Sequence, residues 1–171
     1  MDVSAALVDS DVRCSLRDMK PVFDIVAEPK GKTYIDLLNF AVSRCESFSL
    51  VWRDQFKFEL SAYEIERTLK PFLVSNIRTD EWPGTTLIGH EAIVRRYRVA
   101  DESIKLLHAA GGLYSWLQPN LPEDLAFYSS GDAVWLATIS HEHEAWFLDE
   151  SLLPAEIYAH VPDIKLREHT G

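Results

Sequence analysis

Residues 123–150, EDLAFYSSGDAVWLATISHEHEAWFLDE, decide how this chain folds. Leu125 to Tyr128, Ala133 to Ser140 and Ala145 to Leu148 each read as a β-strand, joined by a Ser129-Ser130-Gly131 turn and by a polar tip around His141–Glu144. Both parities of the middle strand are apolar, with Val134 and Leu136 opposed by Trp135, Ala137 and Ile139. A strand of that kind is covered on both faces and lies centrally in a sheet. A two-residue turn at Glu142-His143 pairs Ile139 with Trp146 and Ala137 with Leu148, which keeps apolar residues on matching faces.

The same stretch holds much of the chain's acidity. Between Lys105 and Lys165 there is no lysine or arginine, whereas Glu123, Asp124, Asp132, Glu142, Glu144, Asp149, Glu150, Glu156 and Asp163 are all acidic. The chain as a whole carries a formal charge of −10, so nearly all of it sits in about the last third. That balance argues against attraction to nucleic acid or to an anionic membrane, both polyanions, and favours a basic protein partner.

Working outward, VFDIV at Val22–Val26 is a short strand ended by Pro29, Lys30 and Gly31. Tyr34, Leu37, Leu38, Ala41, Val42 and Cys45 then recur with the period of one helix face, and Thr33 is the expected N-cap. Ser47 to Leu60 switches to a period of two. Matching its faces requires a hairpin with a three-residue loop at Arg53–Gln55, pairing Trp52 with Phe56 and Leu50 with Phe58. Ser61-Ala-Tyr-Glu64 fits a capping box opening a helix with an apolar stripe of Ile65, Leu69, Phe72 and Leu73; Pro71 should break it near Lys70.

Arg78 to Thr85 reads as a loop, with Trp82 before Pro83-Gly84. Thr86 to Val99 reads as one long strand with a bulge at Gly89. Asp101 caps a helix stopped by Gly111-Gly112, and a last short helix at Leu153–Tyr158 precedes a polar tail. Residues 1–19 have no clear period and read as a loose arm.

At 171 residues, 47% hydrophobic and 26% charged, the chain fits one domain, residues 1–171, that buries roughly 70% of its unfolded surface. There is no membrane-spanning apolar run and no secretory signal at the N-terminus, so the cytoplasm is the expected location. Cys14 and Cys45 are too few for a disulfide framework and read as reduced thiols.

Four groups of residues are candidates for chemistry. His141 and His143 on one straight strand would lie roughly 7 Å apart on the same face, a spacing a metal could bridge. The register instead makes them part of an exposed tip, and no second His/Cys pair at ligand spacing supports a metal, so no metal or cofactor is expected. Arg95, Arg96 and Arg98 are the densest basic cluster; Arg96 and Arg98 share a face suited to an anion, although internal ion pairs are the simpler reading in so acidic a chain. His90, His108 and Cys45 carry no activating neighbour in sequence. Trp82 and the acidic tip are the features with most binding value, because a loop aromatic buries much area with few rotors. No nucleotide or acyl-transfer motif is present, and no catalytic residue is assigned.

The segment LPEDLAFY…WLATISHEHEAWF resembles a short C-terminal pattern of small bacterial proteins, and the chain's makeup is similar to that of immunity proteins of bacterial toxin systems: one acidic α+β domain below 200 residues without catalytic signatures. What that resemblance implies is a binder that occludes a toxin, often a basic nuclease.

These readings together predict an α+β fold: a mainly antiparallel sheet of six to seven strands flanked by three main helices. The leading function is an acidic protein-binding module that docks Glu142, His143, Glu144, Asp149, Glu150 and Trp82 against a basic partner. A small metal-dependent hydrolase using His141 and His143 is the alternative, and a non-catalytic subunit of a larger complex is a third reading.

Overall fold

A computed structural model describes residues 19–170. The expected loose arm lies outside the described residues except at Met19, and Cys14 lies outside them entirely.

The chain is α+β, built on an eight-stranded antiparallel sheet. In chain order the strands are β1 (Phe23–Ile25), β2 (Ser47–Arg53), β3 (Leu73–Thr79), β4 (Glu81–Trp82), β5 (Thr85–Thr86), β6 (Ala92–Arg98), β7 (Glu123–Tyr128), β8 (Val134–Ile139), β9 (Glu144–Phe147) and β10 (Leu166–Glu168). The helices are α1 (Gly31–Arg44), α2 (Leu60–Leu69), α3 (Asp101–His108) and α4 (Pro154–His160). Across the sheet the order is β10-β1-β9-β8-β7-β2-β6-β3, with β4 and β5 forming a separate two-stranded hairpin. The sheet is therefore larger than the predicted six to seven strands, and four helices replace three.

The three-strand unit read from residues 123–150 forms the centre of this sheet. Every residue of β7 and β8 is buried, as expected of strands covered on both faces. Their register differs from the predicted one: Ala137 pairs with Trp146 and Ile139 with Glu144. The cause is the tip, where Ser140–Glu142 form a 3-10 turn and His143 adopts a left-handed backbone at φ 57°. That four-residue connection moves the pairing by two positions and so keeps each side chain on its expected face.

One face of the sheet packs against all four helices in a single aromatic-rich core. Tyr34, Leu37, Leu38 and Ala41 of α1 are fully buried, as the helical period requires. Phe40, off the predicted stripe, is buried too and meets Trp135 edge-on at 5.1 Å. Trp135 reaches this face because β8 carries an extra residue there, a bulge opposite Phe127 and Tyr128. Cys45 is buried, and burial pushes its thiol pKa well up, which removes it as a nucleophile at neutral pH.

Several local expectations give way to long-range pairing. The hairpin at Arg53–Gln55 does not form. β2 ends at Arg53 and pairs with β6 and β7, while Phe58 folds back onto the Trp52 ring at 4.7 Å. Two apolar strands that each offer seven or six residues outcompete a short local return without a turn glycine.

The expected long strand at Thr86–Val99 divides into β5 and β6, with Gly89 at φ 75° between them. β3 and β10, absent from the sequence reading, occupy the two outer edges. The helix break at Lys70 occurs as a 3-10 turn containing Pro71. The caps differ from expectation: Thr33 lies inside α1, Ser61 donates its hydroxyl to the Asn120 carbonyl, and Asp101 is the first residue of α3 after the cap at Ala100.

Candidate functional site

The tip joining β8 to β9 projects four consecutive exposed residues, His141, Glu142, His143 and Glu144. An exposed charged turn is unremarkable by itself; what holds this one from below is not. Ser140, the residue that opens it, is buried and donates its backbone N–H to Asp124 Oδ1 at 2.9 Å. Trp82 Nε1 donates to the other oxygen of the same carboxylate, Oδ2, at 2.9 Å. Asp124 therefore ties the tip to the β4–β5 hairpin.

Asp124 reaches both donors because its backbone is left-handed, φ 53°, at a bulge in β7 between Ala126 and Glu123. Aspartate is among the few non-glycine residues that adopt this conformation at modest cost. The hairpin also meets the strands that carry the tip at Gly84 (φ +86°): a Cβ built there would lie 3.0 Å from the Trp146 ring and 3.1 Å from Ile139, and the left-handed backbone favours glycine. On the other side the His143 ring stacks on Tyr114 at 5.3 Å and 13°.

Next to Asp124, Glu123 is equally buried, at 1% exposure each. Arg53 at the end of β2 lies 3.5 Å from Glu123 Oε2. Burial raises the pKa of Glu123, the neighbouring Asp124 raises it further, and Arg53 and His141 oppose the shift without cancelling it. Asp124 is also raised by burial, against the lowering effect of the Ser140 and Trp82 donors. Two adjacent carboxylates thus share one guanidinium beneath the tip.

Beside the tip a groove of about 510 Å³ opens along β9, β1 and β10, lined by His143, Glu144, Trp146, Asp24, Arg167 and His169 among others. Asp24 sits at its wall, accepting from Arg167 at 2.9 Å and contacting His169 Nδ1 at 3.1 Å. Burial raises the Asp24 pKa, but the hydrogen bonds from Arg167 and His169 outweigh it and hold the carboxyl below its usual value.

The structure rearranges the residues singled out in sequence. Glu142, His143 and Glu144 are together and exposed. Trp82 is not an exposed contact: it is 2% exposed and serves as the brace under the tip. Asp149 and Glu150 do not belong to the tip either. They follow β9 at the end opposite the tip, and Asp149 is occupied by the Ser151 N–H and hydroxyl.

Arg96 and Arg98 are not a paired anion site: Arg96 binds Asp132 at 2.6 Å and lies over the Tyr128 ring, and Arg98 lies over Phe72. Arg95 pairs with Glu66. Among the described residues no group of three or more His, Cys, Asp or Glu side chains is placed to hold a metal ion. The sequence reading missed Arg53, Asp124, Ser140, Tyr114, Asp24 and His169 as parts of this region. The one available signal was an acid pair abutting the wholly apolar run Leu125–Tyr128.

The fold and site define a class: a one-sided α+β sandwich, helices on one sheet face, with a rigid acidic turn at one end of its central strands. No family model, curated protein or solved structure matches this chain. Among the described residues no helix is long and apolar enough to cross a membrane.

Proposed function

We propose that this protein is an acidic protein-binding module, of the kind exemplified by toxin immunity proteins, that docks the His141–Glu144 tip and its adjoining groove against a basic partner. The observation that carries the reading is the brace: an exposed acidic turn is anchored from beneath by a buried carboxylate that joins it to a second hairpin. A turn fixed in this way loses little conformational freedom on binding, so more of the contact energy appears as affinity. Glu142 and Glu144 supply charge that accelerates encounter with a positive surface. The partly buried Trp146 lines the adjoining groove and offers the ring surface an anchoring side chain of the partner would meet.

This reading leaves Asp149 and Glu150, at the other end of β9, outside the docking surface. The docking set becomes Glu142, His143, Glu144, Asp24 and Trp146. A photo-crosslinking residue at position 142 would capture the partner, which is then purified and tested directly. The double variant E142K/E144K should slow its association about tenfold or more at low salt and flatten the salt dependence. Unchanged association kinetics in that variant would remove the tip from the interface.

A further inference from the structure

At the opposite end of the sheet, a groove of about 350 Å³ lies between α2 and the β3–β6 ladder. Arg67 and Lys70, one helical turn apart, line one wall. Arg95 and Tyr97 line the other from one face of β6, with Asn76 and Leu73 beside them as their cross-strand partners. The groove thus holds three cations, an amide and the two phenols of Tyr63 and Tyr97. Its one carboxylate, Glu66, is already engaged by Arg95.

The pairing of Arg67 sets it apart from the other described arginines. Of the eight arginines among the described residues, six have a carboxylate partner and Arg98 lies over the Phe72 ring. Arg67 has neither, and among the described residues Lys70 has no carboxylate within ion-pair distance either. In a chain with a net charge of −10, Arg67 and Lys70 line the same concavity without a carboxylate partner among the described residues. Tyr63, half exposed and packed on Trp52, and exposed Leu73 supply an apolar flank.

We infer that this groove binds a small organic phosphate, with the phosphate between Arg67, Lys70 and Arg95 and the body of the molecule against Tyr63 and Leu73. Guanidinium and ammonium donors converge on phosphate oxygens in charge-assisted hydrogen bonds. The volume falls in the range of small-molecule sites. The Tyr97 hydroxyl, protonated at neutral pH, is a hydrogen-bond donor. The site is independent of the acidic tip, which lies beyond β7 and β2 in the sheet.

The test is calorimetric titration of the full chain with AMP and with inorganic phosphate at low ionic strength. AMP should bind with a dissociation constant of about 1 mM or tighter, and more tightly than phosphate, because the nucleoside adds ring contact. The double variant R67A/K70A changes only exposed side chains and should weaken AMP by about tenfold or more; E142Q/E144Q, at the other end, should leave it unchanged. Circular dichroism of R67A/K70A confirms that the loss is not unfolding. Absence of saturable AMP binding, or equal affinity in R67A/K70A, overturns the site.

Discussion

Glu123 and Asp124 lie fewer than twenty-five residues before Glu142 and Glu144 in the same base-free stretch, and the two pairs of acids do opposite work. The first pair is buried to 1% exposure under the tip; the second is exposed upon it. A buried carboxylate costs the fold its hydration, which only hydrogen bonds and a nearby cation recover. Asp124 recovers it through two donors, and Glu123 in part through nearby Arg53. An exposed carboxylate carries almost none of that cost and contributes little to stability. Acidity counted along a sequence therefore mixes structural anchors with surface charge.

The contrast can be broken most directly at Asp124. Asp124→Ala leaves the Trp82 indole and the Ser140 amide buried without an acceptor, and should lower unfolding stability by about 3 kcal/mol in urea denaturation. Asp124→Asn, which keeps one acceptor and tolerates the left-handed backbone, should cost less. A loss below about 1 kcal/mol for the alanine variant would show that the brace is incidental.

A smaller effect should appear in the pH dependence. The folded-state pKa values of Glu123 and Asp124 lie above their ordinary values of 4.5 and 3.8. Between the ordinary and the raised values the native state holds protons that the unfolded chain has released. The contribution of this pair to stability is therefore fully present below the ordinary values and declines as pH rises through the raised ones. Glu123→Gln should flatten that decline when denaturation midpoints are followed upward from about pH 4. An unchanged slope would mean that the pair does not titrate as a unit with the fold. The smallest change is expected at the surface: Glu142→Gln with Glu144→Gln should shift stability by less than about 0.5 kcal/mol. A larger loss would make the tip itself part of the structural support.

Sequence reading went furthest where side-chain period and burial agree. The α1 stripe, the break at Pro71 and the three strands after Glu123 were all legible, because each is a local pattern of which side chains leave water. The strand faces were legible even though the β8–β9 register was not, since a slip of two residues preserves parity. The sequence places Trp82 in a loop but does not show that it is buried, because its acceptor lies 42 positions away, beyond the reach of any local pattern. The basic groove was equally hidden: Arg67 and Lys70 come from α2 and the turn after it, Arg95 from β6.

What the amino-acid order determined by itself is the class of the fold, the central strands and the acidic character of their connecting turn, all consequences of local periodicity and composition. Tertiary structure alone decided which strands flank that central unit, that β3 and β10 exist at all, and which acids are anchors. A strand with half-polar residues is stable only when another strand's free edge completes its hydrogen bonds, and a carboxylate is buried only where distant donors meet it. Both conditions depend on residues far apart in the chain.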